Sequence, residues 1–536
     1  MVAFMASVPS YKRVKPSGSF DAIVIGSGLS GLTTAALLAK SGKRCLILER
    51  HYVLGGFTHV FKRKGFEWDV GVHYVGEMHK DTSVLKQLMD HVSDGALEWA
   101  NMGEVYDHIV IEDDHYPLRR GVQGFKDSLA EAFPSAKDRA AIDAYVDLCF
   151  EVVKTSRNYY GEKAMSGFMA ATAGSLMRRK FLKYARRTTL DVLRELTDNP
   201  KLIGVLCGQY GDYGLPPAQS SFAMHAALVK HYFGGGSYPV GGSSRFVDTI
   251  MPGIEKAGGQ AFINADVSHI VVRDGKAVGV EMADGEVFEA PMVISCAGAH
   301  TTFERLLAPE QSRAIGFGHE LKNIEASASH LSLYIGLEGT PEELKLPKAN
   351  YWIYPSYDHD ENVRRFLAED DAPFPVVYIS FPAAKDPDFQ NRHPGKSTIE
   401  IITLAPWEQF SKWEDSRWGK RGEDYDALKE SLSLRLLEQL FRFEPQVRDA
   451  IVHRELSTPL STRHFVNYAK GEIYGLSHDP GRFESRFLRP KTPIENLWLT
   501  GQDIVTCGIG GALFSGYLTV SAIEKRNAVM ETLNGR

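Results

Sequence analysis

The chain has 536 residues, more than one hydrophobic core usually spans, and its 43% apolar and 24% charged composition excludes whole-chain disorder, collagen or coiled coil. Lys and Arg total 61 against 67 Asp and Glu, a formal charge of -6, which argues against a nucleic-acid partner because phosphates demand a cation surplus. The five cysteines are scattered without CxxC or zinc spacing, so no disulfide framework and no metal site is expected, and a reducing, cytoplasmic compartment is the default.

Residues 1–20 lack the uninterrupted apolar core of a signal peptide. A β-branched run at 20–25 ends in glycines, 29–41 carries apolar residues at helical spacing, and 44–48 reads as a second strand. That order implies a parallel sheet with a right-handed crossover. A second ordered block runs from 239 to 299. It opens with Gly241-Gly242, continues as a helix through Ile254, and then forms an antiparallel meander of strands at 267–272, 277–282 and 286–290. Asp274-Gly275 and Asp284-Gly285 make its tight turns; a buried strand follows at 292–295. Near the C-terminus, a strand at 497–500 leads through Gly501 into a glycine-punctuated helix. Two uncharged stretches, 22–39 and 504–523, could span a bilayer by length, but their Gly, Ser and Thr content reads as strand, turn and helix, so no spanning helix is expected. The remaining segments, roughly 85–235 and 300–490, hold most aromatics and form a second, discontinuous domain. Within them, 368–375 reads as an exposed loop and 358–361 as a solvated acidic turn.

Gly26-Ser27-Gly28-Leu29-Ser30-Gly31 fits G-x-G-x-x-G between a strand and a helix. Gly26 allows the sharp turn, Gly28 lets backbone approach a pyrophosphate, and Gly31 lets helix pack on strand. Glu49, followed by Arg50, closes the second strand, where a carboxylate can accept from ribose hydroxyls. Adenine dinucleotide binding follows. Gly55 and Gly56 let the chain pass close to a flavin's ribityl and pyrophosphate portion. Gly501 and Asp503 precede Gly510, Gly511 and Ala512, where a helix N-terminus can face the pyrimidine edge of an isoalloxazine. With Val267 at the head of the meander, this set favours FAD over NAD, and no second fingerprint offers a separate NAD(P)H domain.

These residues, with 55–76 (GGFTHVFKRKGFEWDVGVHYVG), 208–216 (GQYGDYGLP), 238–242 (YPVGG), 471–476 (GEIYGL) and 499–519 (LTGQDIVTCGIGGALFSGYLT), resemble the flavoprotein family of phytoene desaturases, carotenoid isomerases and retinol saturases, and the retinol saturase branch most closely. The resemblance implies an α/β fold: a Rossmann-like FAD-binding domain of the glutathione-reductase type with a β-meander (18–84, 236–300 and 490–530), plus a discontinuous α+β substrate-binding domain (85–235 and 301–489). It implies redox or isomerisation chemistry on C=C bonds of a long apolar lipid, most directly saturation of a retinoid, carotenoid or fatty acyl chain. Desaturation and cis–trans isomerisation stay open, as does the external electron donor or acceptor.

Hydride transfer to or from flavin needs a carbon held near the ring, a dry tunnel and at most one proton donor. Candidates are His73, Tyr74 and Glu77 in VHYVGE, and Glu472 and Tyr474 in GEIYGL. Residues 165–187 combine six cations (Arg178, Arg179, Lys180, Lys183, Arg186, Arg187) with Met165, Phe168, Met169, Leu176, Met177, Phe181 and Leu182. They read as a peripheral membrane contact beside a lipid entrance, with a solvated basic helix docked on the protein as the other reading. An amine oxidase on the related fold and a lipid- or prenyl-binding chaperone without flavin chemistry are the other readings.

Overall fold

A computed structural model describes residues 8–165, 167–322, 324–369 and 371–535. Five short parallel strands form the first sheet, in the order Gln260–Phe262, Cys45–Leu48, Ala22–Ile25, Val293–Ser295, Leu497–Leu499. Ala22–Ile25 and Cys45–Leu48 are buried along their whole length because both faces are covered, as parallel sheets require. Alternate residues part to opposite sides. Ala22, Val24, Cys45 and Ile47 pack with the helices Leu29–Lys40, Arg245–Lys256 and Gly508–Glu524, whereas Ile23, Ile25, Leu46 and Leu48 pack toward the meander. That meander is Val267–Arg273, Lys276–Met282 and Val287–Glu289, antiparallel throughout. The edge strand Gln260–Phe262 is an addition to the sequence reading.

The second sheet has seven strands, in the order Ile451–Ser457, Ser329–Glu338, Lys396–Ala405, Val377–Ser380, Asn350–Tyr354, Val105–Ile111, Asp114–Arg119, with one parallel pair in an otherwise antiparallel array. One face is apolar: Leu331, Leu333, Ile335, Ile399 and Ile401 pack against Leu436 and Leu440 of the helix Glu423–Phe443. The opposite face carries His330, Trp352, Tyr378, Glu400, Ile402 and Leu404. The helices Ala136–Lys163, Gly167–Ala185 and Phe222–Tyr232 form the adjoining core.

Two loop expectations need correction. Within 368–375, Ala368 ends a helix, and Ala372 and Phe374 are buried because the apolar half of the segment turns into the core. The acidic turn is a helix start: Asp358 accepts from the Glu361 N–H (3.0 Å), Asp360 from the Ala218 N–H (3.0 Å), and His359 is buried against the Gly204 carbonyl (2.8 Å). Among the described residues, no helix is long and apolar enough to cross a membrane.

Residues 165–187 divide between inside and outside. Arg178 is buried, donating to the carbonyls of Phe483 (2.8 Å) and Glu484 (3.0 Å), and Phe181 is in the core. Arg186 pairs with Glu484 and Arg187 with Glu195. Leu176, 69% exposed, and the exposed Arg179 and Lys180 face outward. The side chains of Phe168 and Met169 lie outside the described residues.

Candidate active site

One cavity of about 1530 Å³ is lined both by the carboxyl ends of the parallel strands and by the inner face of the seven-stranded sheet. At its first end, Gly26 turns the chain at φ +92°, a conformation costly for residues with a Cβ, and Gly28 begins the helix Leu29–Lys40. Among the described residues no side chain caps that helix, so its leading N–H groups and positive dipole end can receive an anion. A Cβ on Gly28 would meet only Cys296 Sγ, at 3.5 Å; one on Gly31 would lie 2.5 Å from the Gly26 carbonyl oxygen. Gly28 therefore faces the cavity, with Leu29 and Ser30, whereas Gly31 sits behind it as the contact between helix and turn.

Glu49 closes the second strand at the cavity wall. Its Oε2 accepts from the Ser27 N–H (2.8 Å) and hydroxyl (2.7 Å), and its Oε1 from the His51 N–H (2.8 Å), leaving Oε1 further acceptor capacity. The Gly55 N–H donates to Ser27 Oγ (3.0 Å), which draws Gly55 and Gly56 against the glycine turn. Arg50, held by the His464 carbonyl (3.0 Å), and Val267 complete this wall. From the C-terminal side come Gly501, Asp503, Gly510, Gly511 and Ala512, the last three on the helix Gly508–Glu524, whose start is also uncapped. The Asp503 carboxylate is occupied by the N–H groups of Ala299 (2.7 Å) and Leu476 (3.0 Å), so it fastens two loops beside the cavity. Two uncapped helix starts, an open glycine face and a carboxylate at the second strand fit a dinucleotide of the flavin or nicotinamide kind.

The other end is apolar with a buried polar floor. His73, Tyr74, Glu77 and Tyr474 line the cavity; Glu472 does not, because its carboxylate folds back onto the Lys470 N–H (2.9 Å). Glu77 is spent in an ion pair with Lys230. His73 Nδ1 lies 2.8 Å from Glu400 Oε2, and burial pulls the imidazole down to about 4, so it is neutral. Beneath it, Lys385 donates to the His73 carbonyl (3.0 Å), Ser380 Oγ (2.8 Å) and Asn350. Burial lowers the Lys385 ammonium and raises the Glu400 carboxyl; their mutual attraction opposes both shifts. The Tyr74 hydroxyl reaches Asp107 (2.9 Å) and, more distantly, Asp212 (3.5 Å), and the Tyr474 hydroxyl donates to the Gly211 carbonyl (2.9 Å).

The family model of the NAD(P)-binding Rossmann-like domain fits residues 24–92. An all-trans-retinol 13,14-reductase of Danio rerio is 37% identical over 96% of this chain and 87% of its own length. The chain belongs to the all-trans-retinol 13,14-reductase family. A second Danio rerio relative, named an inactive all-trans-retinol 13,14-reductase, is 32% identical over 95% of this chain and 86% of its own. Prolycopene isomerase 1 of an Oncidium hybrid is 26% identical over 86% and 76%. Among solved structures, an oxidoreductase from Methanosarcina mazei (17% identity, TM-score 0.62, 94% of this chain and 99% of that one) and cyclohexylamine oxidase from Brevibacterium oxydans (14%, 0.61, 96% and 100%) share the α/β fold.

Sequence reasoning missed the polar floor. Glu400, Lys385, Asn350 and Asp107 come from different strands and loops of the second sheet, and no spacing ties them together. Asp212 stood inside GQYGDYGLP, and the only available signal was a carboxylate among aromatic and small residues.

Proposed function

We propose that this protein is an FAD-dependent oxidoreductase that saturates a C=C bond of a long apolar lipid, a retinoid in the first instance. The observation that carries this reading is the single cavity joining a glycine-lined dinucleotide cradle to an apolar chamber walled by Trp352, Ile402 and Leu404. The segments 18–84, 236–300 and 490–530 hold FAD and the segments 85–235 and 301–489 hold the lipid; the distribution of the two sheets supports that division. The glycine turn and the start of the helix Leu29–Lys40 take the pyrophosphate, Glu49 the ribose, and the start of the helix Gly508–Glu524 the pyrimidine edge of the ring. When bound, the flavin supplies or accepts hydride. The chain's own groups hold the lipid away from water, and one of them moves a proton.

The outward residues Leu176, Arg179 and Lys180 lie on the helix that also sends Phe181 to the cavity, which supports lipid entry from a membrane surface. The likeness to prolycopene isomerases keeps redox-neutral isomerisation as the second reading. An anaerobic assay separates them: reduced protein with all-trans-retinol is expected to yield oxidised flavin and a product two mass units heavier. Isomerised lipid over flavin that stays reduced would replace saturation by isomerisation.

A further inference from the structure

Tyr74 stands between two carboxyl groups, and one hydroxyl proton cannot serve both. Asp107 takes that bond (2.9 Å) and also accepts from Asn350 Nδ2 (2.8 Å) and Gln209 Nε2 (2.8 Å). Three donors, with the Lys385 charge nearby, make Asp107 the ionised member despite its burial. Asp212 has no donor at ordinary bonding distance among the described residues; its one partner is the Tyr74 hydroxyl at 3.5 Å. Besides Tyr74, the titratable groups acting on it are Tyr232, Tyr354, Tyr378, Tyr474 and Cys507, all kept neutral by burial, and the Asp107 carboxylate. Among the described residues, no cation acts on Asp212. Lys385 acts on Asp107 and not on Asp212, so of the two neighbouring carboxyls it is Asp212 that keeps a proton, its pKa held well above the ordinary carboxylate range by burial and by Asp107.

Asp212 is also the member that reaches the ligand space. Asp107 is fully buried behind it, whereas Asp212 is half-buried and lines the cavity. Its backbone carbonyl accepts from the thiol of Cys507 (3.4 Å), the residue preceding the helix Gly508–Glu524, and the Gly211 carbonyl before it accepts from Tyr474. The acid is thereby fixed where the dinucleotide end meets the apolar end.

We propose that Asp212 is the catalytic proton donor of the reduction, an acid fixed at the cavity wall by the bonds of Cys507 and Tyr474 to its backbone segment. The assignment rests on the saturase reading. Bound reduced flavin would supply one hydride, with its two electrons, to one carbon of the double bond, and the π pair would capture the Asp212 proton at the other carbon. A C–H bond forms there, the O–H pair remains on Asp212 as carboxylate, and a water proton restores the acid before the next turnover. The product gains one hydride and one proton.

The test uses flavin-loaded protein and Asp212→Asn, which keeps shape and burial. The variant is expected to bind flavin and accept electrons from dithionite normally while lipid reduction falls on the order of 10²–10⁴-fold, the usual share of a general acid. Infrared spectroscopy gives a readout without substrate: the wild type at neutral pH should show a carboxylic-acid C=O band that shifts in D2O and is missing from Asp212→Asn. A wild type that reduces lipid without that band, or a variant that reduces lipid at the wild-type rate, overturns the assignment alone. A wild type that shows the band yet reduces no lipid overturns the proposed function and the assignment with it.

Discussion

Replacing Gly28 by valine separates holding a cofactor from holding the fold. Gly28 has φ −58°, so a side chain brings no backbone strain, and its Cβ would touch only Cys296 Sγ at 3.5 Å. The cost to the fold is that of a poor helix-start residue, about 0.5–1 kcal/mol. The valine methyls instead occupy the space over the uncapped helix start, where a pyrophosphate must approach the backbone. Losing two charge-assisted hydrogen bonds there, at about 1.5–3 kcal/mol each, weakens binding roughly 10²–10⁴-fold. Gly31→Ala does the opposite. Its Cβ would sit 2.5 Å from the Gly26 carbonyl and 3.3 Å from Val24 Cγ1, so the turn must move, at about 1–3 kcal/mol. The assay is the FAD-to-chain ratio of purified protein beside thermal melting of the flavin-free form. Gly28→Val should be colourless with a near-normal melt, and Gly31→Ala should melt lower. Gly28→Val that purifies yellow with one FAD per chain would mean that the pyrophosphate does not approach the backbone at Gly28.

Asp503→Ala strands the buried N–H groups of Ala299 and Leu476, at about 1–3 kcal/mol each, and should lower the melting temperature; an unchanged melt contradicts the clasp. Burial between the Tyr145 and Tyr213 hydroxyls pulls His225 down to about 3. Since its folded pKa lies below the unfolded value, its stabilisation is complete above about pH 6.5 and is lost as pH falls toward 3, by about 2 kcal/mol at pH 5. Asp69 and Asp107, raised to about 6, slope the other way, so wild type and His225→Gln must be compared at each pH. The variant should lose less stability between pH 7 and 5, and parallel curves would contradict this. For the membrane surface, Arg179→Glu with Lys180→Glu should reduce co-sedimentation with anionic vesicles at unchanged melting temperature, whereas Arg178→Ala should destabilise because it releases the carbonyls of Phe483 and Glu484. Undiminished sedimentation of the double variant would remove the membrane role from this helix.

What was legible in the sequence was local. Gly26 to Gly31 lies between a strand and a helix that neighbour it in the chain, and the meander announces itself through Asp-Gly pairs whose turns need positive φ, as at Asp274 (50°) and Gly275 (76°). The seven-stranded sheet was not legible, because it adds the strands of 105–119 to one edge of strands drawn from 329–457, far along the chain, and its pairings are set by tertiary packing. The same separation hid the floor of the cavity. Tyr74 is a candidate in the sequence, but its meaning depends on Asp107 and Asp212, which only folding brings beside it. Glu472 stays out of the cavity lining for a local reason: a backbone N–H two residues away takes its carboxylate.

The measurement closest to the central claim is a single anaerobic turnover. Protein loaded with FAD and reduced with one equivalent of dithionite is mixed with all-trans-retinol, the flavin is followed by absorbance, and the lipid by mass spectrometry. The oxidised flavin band is expected to return in step with one dihydro-lipid formed per chain. Flavin that stays reduced over unaltered lipid, across retinoids, carotenoids and unsaturated fatty acyl chains alike, would contradict it.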